Sequence, residues 1–311
     1  MSKKENKHTL LKVIGVTAAA GAVAYCGAGY YAFTKFFDLS KSAIYRSDNL
    51  LPHRNHEINE WLLHSEQSDE FIDSFDGLKL HATVFHNHPD SHKWMILMHE
   101  AGYSWQSLLD MIYEADHRDF NVVACDERGC GMSEGKYTTL GWSEHYDLLS
   151  WINSIIRKDA ESEIVLFGQG IGGSAVMNAC GDFVPGNVKI AVEEGGASGI
   201  RELVSYGITK LFKTDAKLLL PSIDLFVKQF LHFSMNDVST KHQLQNAHLP
   251  VMFIHGSEDK IVPASMVFDN FYSCASVKDI LIADGAEHME CSKDPDYFNR
   301  IFTFIDTYMN C

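Results

Sequence analysis

The strongest constraint on the fold is a series of short apolar runs separated by longer amphipathic stretches. Trp94 to Met98, Val122 to Cys125, Ile164 to Phe167, Ile190 to Val192 and Val251 to Ile254 are short and continuous, and Val277 to Ile282 is a compact run interrupted by Lys278 and Asp279. Such runs suit central strands buried on both faces, with Trp105 to Ala115, Trp142 to Arg157 and Gly172 to Cys180 as crossover helices. This predicts an α/β protein with a mostly parallel central sheet, helices on both faces, and ligands beyond the carboxyl ends of the strands. Ahead of the series, Glu70 to Phe75 and Leu78 to Phe85 alternate and are divided by Asp76-Gly77, so the sheet is expected to open with an antiparallel hairpin. A last helix is expected over Asp296 to Tyr308.

Between Val192 and Val251 the chain is too long for an ordinary crossover. Ile200 to Phe212 and Leu218 to Phe233 read as amphipathic helices of a small helical cap, about residues 197–248, with Pro221 starting the second helix. The cap belongs to a body spanning 69–311.

The first residues are a separate problem. A basic segment, 1–12, carries Lys3, Lys4, Lys7 and Lys12, and 13–34 contains no charged residue. As a helix, that stretch would span about 33 Å, enough for a bilayer core, with the lysines inside and the body extracellular. The expectation is a single-pass signal anchor in the cell membrane, with Tyr25, Tyr30 and Tyr31 near the interface. A cleaved signal peptide and a helix packed on the body are the alternatives. Residues 35–68 read as a connector, helical around Glu57 to His64.

With 26 basic against 41 acidic residues the net charge is -15, and no Lys/Arg stripe crosses the body, which argues against nucleic acid as a partner. The 7 cysteines are odd in number and lack CxxC spacing, so they read as small buried thiols. No cofactor or metal is called for, and the oligomeric state is open.

Four marks then occur in chain order. They are His99 after a strand, Asp126-Glu127-Arg128-Gly129 after the next, Gly168-Gln169-Gly170-Ile171-Gly172-Gly173 between a strand and a helix, and His255-Gly256-Ser257-Glu258-Asp259 followed by Gly285-Ala286-Glu287-His288. Together they resemble the α/β-hydrolase family, in particular capped bacterial serine hydrolases of the aminopeptidase and esterase type. The resemblance covers roughly residues 69–310 and implies the following roles. Gly168 and Gly172 flank the nucleophile elbow, and Gly170 occupies the position of its serine. Asp259 and His288 are the carboxylate and imidazole of the triad. The backbone N–H groups of Ile171 and Ala101 form the oxyanion hole, beside His99 and Glu100. Asp126 and Arg128 support the nucleophile loop structurally.

Two departures matter. Gly170 has no hydroxyl to form an acyl-enzyme, so covalent serine catalysis cannot start there. Glu100 stands where glycine is usual and, if it points inward, disfavours negative charge on a reacting carbonyl. Glu193 and Glu194 are weaker candidates for the triad acid, and Ser174, one turn past the elbow, is a weak alternative nucleophile.

The function expected is that of a hydrolase relative without normal activity, able to retain a small ester, amide or peptide-like ligand. The alternative is a serine hydrolase, carboxylesterase-like or aminopeptidase-like, represented by an inactive Ser-to-Gly variant. On either view, Gly170→Ser is expected to restore turnover. Residues 168–173 also satisfy the Gly-x-Gly-x-x-Gly dinucleotide pattern, with Glu193 twenty residues past Gly173, but a serine-to-glycine change in the elbow produces that pattern automatically.

Overall fold

The computed structural model describes residues 3–41 and 56–309, and for 3–18 the backbone alone. Helix α1 (Lys3–Phe37) and helix α2 (His56–His64) precede the sheet. Its strands are β1 (Gln67–Asp73), β2 (Lys79–Phe85), β3 (Lys93–Met98), β4 (Asn121–Cys125), β5 (Glu163–Gln169), β6 (Val188–Glu194), β7 (Val251–Gly256) and β8 (Lys278–Ala283). The remaining helices are α3 (Leu109–Asp116), α4 (Trp142–Lys158), α5 (Ile171–Ala179), α6 (Ile200–Phe212), α7 (Ala216–Leu231), α8 (Thr240–Leu244), α9 (Ser265–Ser273) and α10 (Tyr297–Met309).

The spatial order is β1-β2-β4-β3-β5-β6-β7-β8. β2 pairs antiparallel with β1 and β4, and all other pairs are parallel. The expected hairpin is present, and Gly77 at φ 87 supplies its left-handed turn position. Both faces of the central strands are covered, which is why their sequences run apolar without alternation. Leu97, Phe167, Val192 and Ile254 face a layer containing Ile112 of α3 and Ile301 and Ile305 of α10. Their chain neighbours Ile96, Leu166, Ala191 and Phe253 face Trp151 of α4, Val176 of α5 and Val267 of α9.

Helices α6 and α7 lie between β6 and β7 in the chain. With Ala101 and Ile171 from the strand ends, their Val204, Ile208, Ile223 and Val227 form a third apolar cluster. One expectation fails in detail: α7 starts at Ala216, so Pro221 lies inside it. The Asp215 carboxylate accepts the Lys217 N–H at 2.9 Å and caps the helix before the proline is reached.

The anchor expected over 13–34 also changes. Among the described residues no helix is long and apolar enough to cross a membrane. The side chains of 13–18 lie outside the described residues, as do 42–55 of the expected connector. The boundary drawn at 34/35 falls inside α1, whose end packs on the body. Ala32, Phe33, Phe36 and Phe37 are buried in the third cluster. Gly29 is a close approach: a Cβ there would stand 1.9 Å from Oγ of Ser222 on α7.

Candidate active site

Strand β5 ends at Gln169, and the chain turns sharply at Gly170 (φ 56, ψ -113) into α5. Side-chain-bearing residues adopt this backbone only under strain. The turn is held by the Gly170 N–H, which donates to the Glu194 carbonyl at 2.7 Å. It is cramped on both sides. A Cβ on Gly168 would meet the Gly172 carbonyl at 2.2 Å, and one on Gly172 the Met98 carbonyl at 2.3 Å. These glycines are required by packing of the elbow, and Glu193 is fully buried, accepting the Gly196 N–H at 2.8 Å instead of facing a ribose. The dinucleotide alternative loses both of its supports.

The loops after β7 and β8 bring Asp259 and His288 together over the elbow. Nδ1 of His288 lies 2.7 Å from Oδ2 of Asp259. The other carboxylate oxygen accepts the N–H groups of Ile261 and Val262 at 2.8 and 2.9 Å, which fixes its orientation. His255, at the end of β7, adds its Nε2 3.3 Å from Oδ2. Burial opposes the Asp259 charge, but hydrogen bonds to His255 and His288 and their charge hold its carboxyl well below the usual range.

The second ring nitrogen has an unexpected partner. Nε2 of His288 lies 3.0 Å from Oε2 of Glu100, and Oε1 of Glu100 accepts the N–H of Ala101 at 2.6 Å. Glu100 therefore points inward and occupies the place of a nucleophile side chain: a Cβ on Gly170 would stand 1.7 Å from Oε2 of Glu100. It also takes the Ala101 N–H, one of the two groups expected to bind an oxyanion. Burial works against a charged imidazole, yet the hydrogen bonds to Asp259 and Glu100 and their charges raise His288 to about 10. At neutral pH it is an imidazolium with both N–H groups donated to carboxylates.

His99 shapes the loop that delivers Glu100. Its Nδ1–H donates to the Glu100 carbonyl at 2.6 Å, and its Nε2 accepts the Glu127 N–H at 3.1 Å. This fixes one tautomer, and burial pushes the ring toward the neutral form. Asp126 accepts the Trp105 and Met132 N–H groups at 3.1 and 2.9 Å and pairs with His81 at 2.8 Å, so it organises loops beside the site. Arg128 binds Asp147 of α4 at 2.7 and 2.8 Å and Asp76 of the hairpin turn at 2.9 Å. Its contacts tie the hairpin to α4; none is with the elbow.

Ser174 is 1% exposed and bonds within the fold, its Oγ donating to the Gly170 carbonyl at 3.3 Å and accepting the Ala197 N–H at 3.0 Å. Glu194 lies beneath the elbow, accepting from Gln169 at 2.7 Å and from the Tyr297 hydroxyl at 2.5 Å. Tyr297 and His255 were not singled out from the sequence. His255 lies within the marked His-Gly-Ser-Glu-Asp stretch, whereas Tyr297 carries no local motif.

A family model described as serine aminopeptidase, S33, matches residues 89–229. The chain is 23% identical over 190 residues to the uncharacterized protein YqkD of Bacillus subtilis, covering 60% of this chain and 62% of that protein. It is 27% identical over 201 residues to the uncharacterized protein YfhR of Escherichia coli K12, covering 62% and 63%. The chain thus spans less than two thirds of the length of these relatives. Among solved structures, the Pyrococcus furiosus esterase Pf2001 superposes with a TM-score of 0.65 at 20% identity, covering 79% of this chain and 93% of that one. Est1E from Butyrivibrio proteoclasticus, solved with ferulic acid, gives 0.61 at 16% identity, covering 78% and 100%. With the strand order, the sharp turn after β5 and the Asp259–His288 pair at the strand ends, these likenesses give the chain the α/β-hydrolase fold.

Proposed function

We propose that this protein is a non-hydrolytic member of the α/β-hydrolase family, in which the serine hydrolase site has become a closed Glu100–His288–Asp259 ion triad serving binding or regulation. The observation that carries this is the Glu100 carboxylate, which fills the space above Gly170 and accepts from Nε2 of His288 at 3.0 Å. A serine hydrolase needs a hydroxyl there, a neutral imidazole beside it and empty oxyanion donors. Here the hydroxyl is missing, the imidazole is charged, and the Ala101 N–H already has an acceptor. The ligand proposed for it is a small ester, amide or peptide-like molecule held without turnover.

The Ser-to-Gly variant alternative fares worse on the same observation. With serine at 170 the Glu100 carboxylate would have to leave this position, since a Cβ there stands 1.7 Å from its Oε2. The fit between Gly170 and Glu100 speaks for a pair of residues that belong together. The expectation that Gly170→Ser alone restores turnover is revised accordingly. The test uses a fluorophosphonate label and short-chain aryl esters on three proteins: the chain itself, Gly170→Ser, and Glu100→Gly with Gly170→Ser. No labelling of the first two and labelling with turnover of the third is expected. Turnover by the unaltered chain, abolished by His288→Ala, would sink the proposal.

A further inference from the structure

Many of the large apolar side chains exposed among the described residues gather at one corner of the molecule. Val23 and Tyr31 of α1 are 72% and 56% exposed, Leu218 and Leu225 of α7 are 61% and 55%, and Leu211 of α6 and Phe230 of α7 lie close by in the chain, also exposed. They flank one seam. Ser222 Oγ donates to the Tyr25 carbonyl at 3.3 Å, and Tyr30 packs edge-on to Phe226 with ring centroids 5.3 Å apart. Leu218 and Leu225 sit four residues before and three after Ser222, so they share its side of α7 and border α1.

Two features say what covers this corner. First, Ala19 to Ala28 of α1 carries no charge and is exposed around its circumference, with Cys26 alone half-buried. A helix apolar on all sides needs an apolar medium on all sides, which a protein groove meeting one stripe does not provide. Second, the rim is basic although the chain carries a net charge of -15. Lys210, Lys213, Lys217 and Lys228 are all exposed, against two acids between them: Asp215, exposed at the start of α7, and Asp224, buried, bonded to Ser234 at 2.9 Å and paired with Lys228.

We propose that α1 and the cap helices α6 and α7 form one face that docks on an anionic lipid bilayer. The apolar part of α1 enters the membrane beside Leu218 and Leu225, and the lysines meet the headgroups. Tyrosine and lysine at the edge of an apolar patch suit the interfacial layer. The proposal does not rest on what the Gly170 site does: among the described residues, the hydrogen bonds and ion pairs of Glu100, His288 and Asp259 involve none of the exposed apolar side chains or lysines of this face.

The test is flotation of the full chain with phosphatidylcholine vesicles, with and without about one third phosphatidylglycerol. Stronger binding to the anionic vesicles is expected, weakening as salt screens the headgroups. Leu218→Glu with Leu225→Glu, both at exposed positions, is expected to lower vesicle binding by more than about tenfold with an unchanged unfolding temperature. Equal binding by this variant would overturn the part assigned to the cap. Indifference to phosphatidylglycerol would overturn the lipid assignment. A dimer in solution that the same substitutions dissociate would give the face to a second copy of the chain.

Discussion

Glu100 and Gly170 fit each other: Oε2 of Glu100 lies where a side chain on residue 170 would begin, 1.7 Å from the position of its Cβ. The two departures from the family pattern are thus one arrangement. A glycine at the elbow leaves a gap beside the imidazole, and a carboxylate from the neighbouring loop fills it. The hydrogen bonds follow, with Nε2 of His288 and the Ala101 N–H both donating to Glu100.

Gly170→Ser is therefore expected to destabilise the protein before it does anything chemical. The backbone at φ 56 costs a side-chain-bearing residue about 1–3 kcal/mol, and displacing Glu100 adds about 1–3 kcal/mol of overpacking. Adding Glu100→Gly removes the second cost and leaves the first. Urea unfolding of the three proteins measures this, and a Gly170→Ser protein as stable as the unaltered chain would show that Glu100 is readily displaced.

The same arrangement sets a pH dependence. His288 ordinarily titrates at 6.5 and is raised to about 10 in the folded protein. Its folded value exceeds its unfolded one, so its stabilisation is complete below 6.5 and is lost as pH rises toward 10. Glu100→Gln removes one of the two carboxylates and is expected to flatten this alkaline loss. Asp259 acts at the other end. Its folded value is depressed, so its contribution is present above 3.8 and disappears in strong acid. Nuclear magnetic resonance of the His288 ring provides the check: no titration is expected between about pH 6 and 8 in the unaltered protein. A midpoint inside that window would refute a charged resting imidazole.

Much of this was legible in the sequence because it depends on local pattern. Runs such as Ile164 to Phe167 announce strands buried on both faces, and the spacing of Asp259 and His288 after successive strands marks the site. The absence of serine at 170 was equally plain. The direction of the Glu100 side chain was not, because it depends on packing between the loop after β3 and the elbow after β5, 70 residues apart. Helix α1 posed a similar difficulty. Lack of charge over 13–34 reads as a membrane span, but Phe33, Phe36 and Phe37 owe their burial to partners on the cap helices and the Tyr137 loop, far along the chain. Pro221 misled for a different reason: a proline just inside a helix is a start signal only when no better cap precedes it, and Asp215 does.

Arg128 is placed in structure, not chemistry, and this is testable. It is 5% exposed and forms a paired hydrogen bond with the buried Asp147. Arg128→Ala leaves that carboxylate buried without its partner and is expected to cost about 3–5 kcal/mol. Arg128→Lys loses the two-pronged geometry and is expected to recover only part of that. Denaturant unfolding measures the loss, while the ring signals of His288 should stay where they are at neutral pH. A displaced His288 resonance with little loss of stability would move Arg128 into the site.

The last prediction concerns whether α1 belongs to the folded body. Phe33 is fully buried, its ring 5.3 Å from that of Phe37, 5.6 Å from Tyr137 and 5.6 Å from Phe230. These partners come from α1 itself, from the loop before α4 and from α7, so one side chain joins three separate pieces of chain. Phe33→Ala deletes a ring from a packed cluster and is expected to lower stability by about 3–5 kcal/mol, as for a core phenylalanine. Were α1 docked only loosely, the helix would detach and the rest of the body would unfold at its former denaturant concentration. A single transition shifted to lower denaturant is therefore the expected result. An unshifted main transition would separate α1 from the body, and with it the support for treating helix and cap as one face.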